Sequence, residues 1–230
     1  MIDQIVAAPL VTAEAFTDHD SAFIPESERA AVARAVPTRQ REFFTVRHLA
    51  RRAMVQLGVP GAARVPILKG DRGAPVWPGG VIGSLTHCSG YRGAVVGYTS
   101  EVRSAGIDAE PHSELPSGVL PSVSLAEERN WLASAVREYG PGLHLDKLLF
   151  CAKETTYKAW FPITKRWLGF EDAHITFGVS DAQTGCASGD FTATILIDGA
   201  AISGTPVTQL HGKWLISEGL VLASIVVPRE

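Results

Sequence analysis

Gly106-Ile107-Asp108-Ala109-Glu110, followed at once by Pro111, closes a stretch from Val102 to Glu110 that reads as a short strand. Residues two apart in a strand project to the same face, so the carboxylates of Asp108 and Glu110 stand side by side. Neighbouring carboxylates repel unless a cation sits between them. Hard oxygen ligands held close together suit Mg²⁺, which takes one or two protein carboxylates and fills its octahedron with water and phosphate oxygens. A solvated strand edge has the same composition, so the pentapeptide alone leaves both readings open.

A second segment, Phe150-Cys151-Ala152-Lys153-Glu154-Thr155-Thr156-Tyr157-Lys158, lies within a helical pattern from Leu145 to Phe161. Glu154 and Lys158 are four apart and share a helical face, while Phe150, Tyr157 and Phe161 can pack inward. Taken singly this is a surface ion pair worth about 0.3–0.5 kcal/mol. Taken with Asp108 and Glu110 it supplies a third carboxylate and a cation for a phosphate. A further set of cations is spread over Arg39, Arg47, Arg51 and Arg52, then Lys69 and Arg72, then His87 in Gly83-Ser84-Leu85-Thr86-His87-Cys88. Guanidinium forks and ammonium groups can grip several phosphate oxygens, but a solvated basic helix face has the same look, and for His87 alone a hydrogen-bonded strand histidine is the default. A Cys88 nucleophile activated by His87 is disfavoured, because adjacent strand side chains point to opposite faces.

Around these segments the chain alternates helix and sheet. Phe43, Val46, Ala50, Ala53, Met54 and Leu57 recur at helical steps between Pro37 and Leu57, stopped by Gly58 and Pro60. Arg64 to Gly80 is rich in Gly and Pro and reads as loop; strands are expected at Val81 to His87, Gly93 to Thr99 and Val102 to Glu110. A connection from Pro111 to Ser124 leads to helices at Ala126 to Tyr139 and Leu145 to Phe161. Strands follow at His174 to Val179, Phe191 to Asp198, His211 to Ile216 and Leu220 to Val227. Helix then sheet thus occurs twice without a letter-by-letter repeat, which divides the chain into halves 1–112 and 113–230 on element order alone. With 46% hydrophobic and 20% charged residues in a chain of 230, a sizeable core is expected. A net charge of -3 gives no global attraction to nucleic acid or an anionic membrane, so an anion site must come from local clusters. The start has no cationic region followed by an apolar stretch, the longest apolar run is strand-sized, and the 3 cysteines are widely spaced. The expectation is a cytoplasmic protein with free thiols.

The joint pattern resembles the Sfp-type 4′-phosphopantetheinyl transferases, specifically their actinobacterial branch. The family combines Gly-x-Asp-x-Glu with a later Phe/Trp-x-x-Lys-Glu-x-x-x-Lys, here Gly106 to Glu110 and Phe150 to Lys158. The likeness extends through Arg39 to Phe43, Val46 to His48, Pro66 to Gly70, Gly83 to Cys88 and Trp167 to Phe170, and is weakest over the first 36 residues, which support no functional assignment. It implies an α/β fold of two similar α+β halves about an approximate twofold axis, with coenzyme A in the cleft between them. It implies Asp108, Glu110 and Glu154 as ligands of Mg²⁺ or Mn²⁺, with the Ala109 backbone carbonyl. Arg39, Arg47, Lys69, Gly70, Asp71, Arg72, Thr86 and His87 match positions that hold the nucleotide and its phosphates, Leu168 lies along the pantetheine arm, and Lys158 faces the diphosphate.

The implied reaction is transfer of phosphopantetheine from coenzyme A to a serine of acyl or peptidyl carrier proteins of fatty-acid, polyketide and nonribosomal peptide synthases, leaving adenosine 3′,5′-bisphosphate. Glu154 positions or deprotonates the serine, Lys158 assists the leaving group, and no enzyme nucleophile is needed. A monomer is expected, with no nucleic-acid or membrane partner. The segment Pro111 to Leu125, with Leu115, Val119, Leu120 and Val123, either docks the carrier or packs the halves together. Two rivals are another Mg²⁺-dependent phosphotransferase, for which the sequence has no Gly-x-x-x-x-Gly-Lys loop, and a noncatalytic coenzyme A-binding module, against which the retained Asp108, Glu110, Glu154 and Lys158 argue.

Overall fold

The computed structural model describes residues 1–19, 23–183 and 185–229. In chain order these form β1 (Val11–Ala15), α1 (Glu26–Val32), α2 (Pro37–Leu57), β2 (Val81–Cys88), β3 (Tyr91–Tyr98) and β4 (Val102–Pro111). There follow α3 (Leu120–Val123), α4 (Ala126–Tyr139), α5 (Leu145–Thr164), β5 (Ala173–Gln183), β6 (Cys186–Ile195), β7 (Gln209–Ser217) and β8 (Leu220–Pro228). The strands make two antiparallel sheets, a 3-stranded one in the order β1-β3-β2 and a 5-stranded one in the order β4-β8-β7-β6-β5.

Each sheet carries one long helix, and the apolar spacing decides which face is covered. Leu49, Ala50, Ala53 and Met54 of α2 meet Val81, Ala94 and Val96 of the first sheet. Leu148, Leu149, Ala152 and Trp160 of α5 meet Phe191, Trp214 and Val221 of the second. A third core lies between the sheets, where Ile82, Tyr91 and Val95 pack on Ile107, Ala109 and Leu222. The α2 helix stops where expected, at Gly58 with φ 88, a left-handed conformation that an L side chain resists.

Because β4 is buried on both sides, its alternation sorts side chains between two interiors. Ile107 and Ala109 enter the core between the sheets. Gly106 looks the other way, and a Cβ there would lie 2.3 Å from the Thr155 carbonyl oxygen and 2.8 Å from the Ala159 nitrogen of α5. The glycine that begins the acidic motif is thus what lets α5 lie directly on β4, with Asp108 and Glu110 on the same strand face.

The expected strands and long helices are present, with three differences. β4 hydrogen-bonds to β8, so a division by sheet falls in the turn between β3 and β4 rather than at 112. β1, α1 and the short α3 were not foreseen. α5 runs past Phe161 to Thr164 with Pro162 inside its last turn, where the missing N–H removes one hydrogen bond without ending the helix. Among the described residues no helix is long and apolar enough to cross a membrane.

Candidate active site

The two sheets are stitched together beside the acidic motif by hydroxyls of β2. The Ile107 N–H donates to Ser84 Oγ at 3.1 Å and the Ala109 N–H to Thr86 Oγ1 at 3.0 Å. The Thr86 hydroxyl in turn donates to Asp108 Oδ1 at 3.0 Å. Within a strand a residue's N–H and C=O point the same way, so the Ala109 carbonyl faces β2 rather than β8.

From above, α5 lowers Lys158 onto this corner. Its ammonium donates to Asp108 Oδ1 at 2.7 Å and to the Ile107 carbonyl at 3.1 Å. The partner of Lys158 is therefore Asp108 across the fold, not Glu154 one turn back. Burial works against this ammonium, but Asp108 and Glu154 outweigh it and hold its pKa above the ordinary lysine value. Asp108 Oδ2 is buried and has no hydrogen-bond partner. Burial, then repulsion from Asp108, pushes the Glu110 carboxyl up to about 6 and raises Glu154 for the same two reasons. Lys147 stands 3.8 Å from Glu110. Lys147, Cys151, Glu154 and Lys158 are spaced three and four apart on one face of α5, a signal that would have singled out Lys147.

The corner is the floor of a cleft of about 750 Å³, a size suited to a nucleotide-scale ligand. Asp108, Glu154 and Lys158 lie on one side of it, and Arg39, Arg47, Lys69, Gly70, Asp71, Arg72, Thr86 and His87 on the others. Arg47 is buried, with its Nε donating to the Ile67 carbonyl at 2.6 Å and its guanidinium 3.2 Å from the centre of the Phe43 ring. Burial, only partly offset by Glu28, pushes the Arg47 guanidinium down to about 9, and Arg39 and Arg51 push the same way. Burial, then Arg39 and Arg47, lowers Lys69 as well. Cations that disfavour one another's charge in this way are relieved by a polyanion.

Three sequence expectations need amendment here. His87 is half-buried between Arg39 and Glu42, with Nδ1 3.2 Å from Glu42 Oε2, and burial, then Arg39, pushes its imidazole down to about 4, which favours the neutral ring over a cation. Arg51 belongs neither to a solvated face nor to the cleft, being buried against Glu28 at 2.6 Å, while Arg52 is exposed. Leu168 lines a small recess beside the cleft rather than the cleft itself, though the recess shares Glu154 and Tyr157 with it. Sequence reading also gave no site role to Tyr157, read as packing, whose buried hydroxyl has no partner, or to Trp167, whose ring lies tilted against Tyr157 with centroids 4.9 Å apart. Arg72, in a left-handed conformation at φ 52, reaches to 5.4 Å from the Trp167 ring, so two loops meet at the cleft rim.

A family model described as the 4′-phosphopantetheinyl transferase N-terminal domain matches residues 27–97, and one described as the 4′-phosphopantetheinyl transferase superfamily matches residues 104–198. Over 218 residues, 95% of this chain and 92% of the relative, the sequence is 56% identical to the 4′-phosphopantetheinyl transferase PptT of Mycobacterium tuberculosis. The chain belongs to the 4′-phosphopantetheinyl transferase superfamily. It is also 48% identical to the transferase Npt of Nocardia iowensis over 98% of this chain and 99% of the relative. Identity to Svp of Streptomyces mobaraensis is 45% over 99% of this chain and 89% of the relative.

The metal that this superfamily implies can be tested against the residues present. Among the described residues no three His, Cys, Asp or Glu side chains are gathered into a ready-made metal site. The donor chemistry nonetheless fits: Glu110 and Glu154 both have their pKa raised by neighbouring Asp108, one Asp108 oxygen is buried without a hydrogen-bond partner, and all three carboxylates offer hard oxygen donors. Lys158 and Lys147 bring positive charge to Asp108 and Glu110, at 2.7 Å and 3.8 Å.

Proposed function

We propose that this phosphopantetheinyl transferase moves the 4′-phosphopantetheine arm of coenzyme A to a serine hydroxyl of acyl or peptidyl carrier proteins, with Asp108, Glu154 and Lys158 at the reacting centre. The observation that carries the assignment of residues is the part-buried Asp108–Lys158 pair, 2.7 Å apart, on the floor of a cation-walled cleft in a chain of this family. Arg39, Lys69 and Arg72 meet the phosphates of coenzyme A, and the neutral His87 ring offers a hydrogen bond rather than a charge. Asp108, Glu110 and Glu154, with the Ala109 carbonyl, would hold a Mg²⁺ or Mn²⁺ ion, which would supply positive charge to offset that of the diphosphate. Glu154, its proton affinity raised by burial and by Asp108, takes the serine proton directly or through water. The serine oxygen attacks the phosphorus that bears pantetheine, and the bond to the adenylate phosphate breaks. Lys158 remains an ammonium and donates to the departing phosphate of adenosine 3′,5′-bisphosphate.

Docking of the carrier is assigned to the half-exposed Leu115 and Val119. Val123 is buried and Leu120 packs against the core of the second half, so those two serve packing instead. Three free thiols support a reducing, cytoplasmic setting, and a cleft completed within one chain supports a monomer. Incubating the protein with coenzyme A, Mg²⁺ and an apo carrier protein tests the reading. One phosphopantetheine added to the carrier mass is expected, absent with Glu154→Gln; a carrier that stays unmodified in the presence of the native chain refutes it.

A further inference from the structure

Within the first 36 residues lies a buried carboxylate that the reaction does not use. Glu28, on α1, is fully buried, and its Oε1 accepts from the Arg51 guanidinium at 2.6 Å and from the Ile67 N–H at 2.8 Å. The carbonyl of Ile67 is held from the other side by Arg47 at 2.6 Å. Two residues before Lys69, the peptide groups on either side of one α-carbon are therefore each held by a buried ionic side chain. Beyond it the chain turns through Lys69 to Val76 in the cleft wall, closed by hydrogen bonds from Gly70 to Ala74 at 2.7 Å and from Val76 to Leu68 at 2.9 Å.

The second half contains the same device in different letters. Glu128, on the short helix α4 that precedes the long helix α5, accepts from Lys153 at 2.9 Å and from the Ile175 N–H at 2.7 Å. Lys153 also donates to the Ala173 carbonyl, two residues before Ile175, as Arg51 reaches the Val65 carbonyl, two residues before Ile67. In both halves a short-helix glutamate, a long-helix cation and the peptide of the outgoing chain meet in one buried knot. Its recurrence in one chain is poorly explained by chance packing.

We propose that Glu28 is a positioning residue for the phosphate site, setting the height of the Ile67 peptide and so the reach of Lys69 and Arg72 into the cleft. This rests on the cleft being the coenzyme A site. Glu28→Leu removes the acceptor for the Ile67 N–H, whereas Glu28→Gln keeps it. Steady-state kinetics with coenzyme A, dephospho-coenzyme A and carrier protein are to be set beside direct coenzyme A binding by calorimetry. Glu28→Leu is expected to raise KM and Kd for coenzyme A about tenfold, the scale of one lost phosphate contact, and to narrow the preference over dephospho-coenzyme A. It is expected to leave kcat and the KM for carrier near native, with Glu28→Gln restoring most of the loss. Should Glu28→Leu not fold, the double variant Glu28→Leu/Arg51→Met removes both members of the buried ion pair, leaving Arg47 as the buried charge beside it, and carries the same expectation. A folded variant with lower thermal stability but native discrimination between the two donors overturns the proposal. A native chain that binds no coenzyme A overturns the reading beneath it and this assignment with it.

Discussion

With one oxygen committed to Lys158 and Thr86 and the other buried without a partner, Asp108 carries a charge that its surroundings only half satisfy. Asp108→Asn keeps the shape, removes the charge and takes away the repulsion that raises Glu110 and Glu154. Transfer should fall by roughly a hundredfold or more while the fold survives; calorimetric melting beside the carrier assay checks both, and an unfolded variant would instead mark Asp108 as structural. Protons compete with a divalent ion for the same oxygens. Glu110 is held at about 6, so it is mostly ionised at pH 7 and mostly protonated at pH 5.5. The Mg²⁺ concentration for half-maximal activity should therefore rise about fourfold between those two pH values from this group alone, and Glu154 adds to the rise in the same direction. A Mg²⁺ titration flat across that range would remove Glu110 from the ligand set.

At the scale of elements, the close seating of α5 on β4 is what brings Lys158 to Asp108, and Gly106 permits it. Gly106→Ala must push the helix or the strand aside, since its Cβ would fall 2.3 Å from a backbone oxygen. A destabilisation of about 1–3 kcal/mol is expected in urea unfolding, with kcat lowered more than the KM for coenzyme A. Val123→Ala, in α3, should lower stability by about 0.5–3 kcal/mol and leave the carrier KM alone, whereas Leu115→Ala and Val119→Ala should raise that KM without a change in melting temperature. The long elements were legible because period and punctuation agree: Ala126–Tyr139 was read with its observed bounds. β1 escaped notice because Val-Thr-Ala-Glu-Ala is five residues with little apolar contrast, and it is a strand because β3 offers an edge. The end of α5 differs by three residues from the expected Phe161, because Pro162 is tolerated within the last turn.

Across the whole molecule, two helix-covered sheets share a middle core, and the site lies where they meet. The motif residues Asp108, Glu154 and Lys158 could be read from spacing and resemblance, because strand and helix periods dictate which face a side chain takes. Which charge pairs with which could not, because Lys158 reaches Asp108 over 50 residues of chain and Arg51 reaches Glu28 over 23. Such partners are decided by tertiary packing. In the second half Lys153 is buried against Glu128, and burial lowers its pKa despite that partner. Lys153→Met should therefore cost about 3–5 kcal/mol by leaving Glu128 unpaired, and adding Glu128→Leu should recover much of it, as denaturant titration of both variants would reveal. The meeting of Arg72, Tyr157 and Trp167 at the cleft rim has an optical consequence. Trp167 is 56% exposed, whereas Trp160 and Trp214 are fully buried, so its indole is open to quenching by solvent and by a ligand entering below it. Emission excited at tryptophan wavelengths should shift when coenzyme A is added and shrink in Trp167→Phe to what Trp77 in the cleft wall contributes, giving the native chain an intrinsic fluorescent gauge of occupancy that needs no carrier protein and no label.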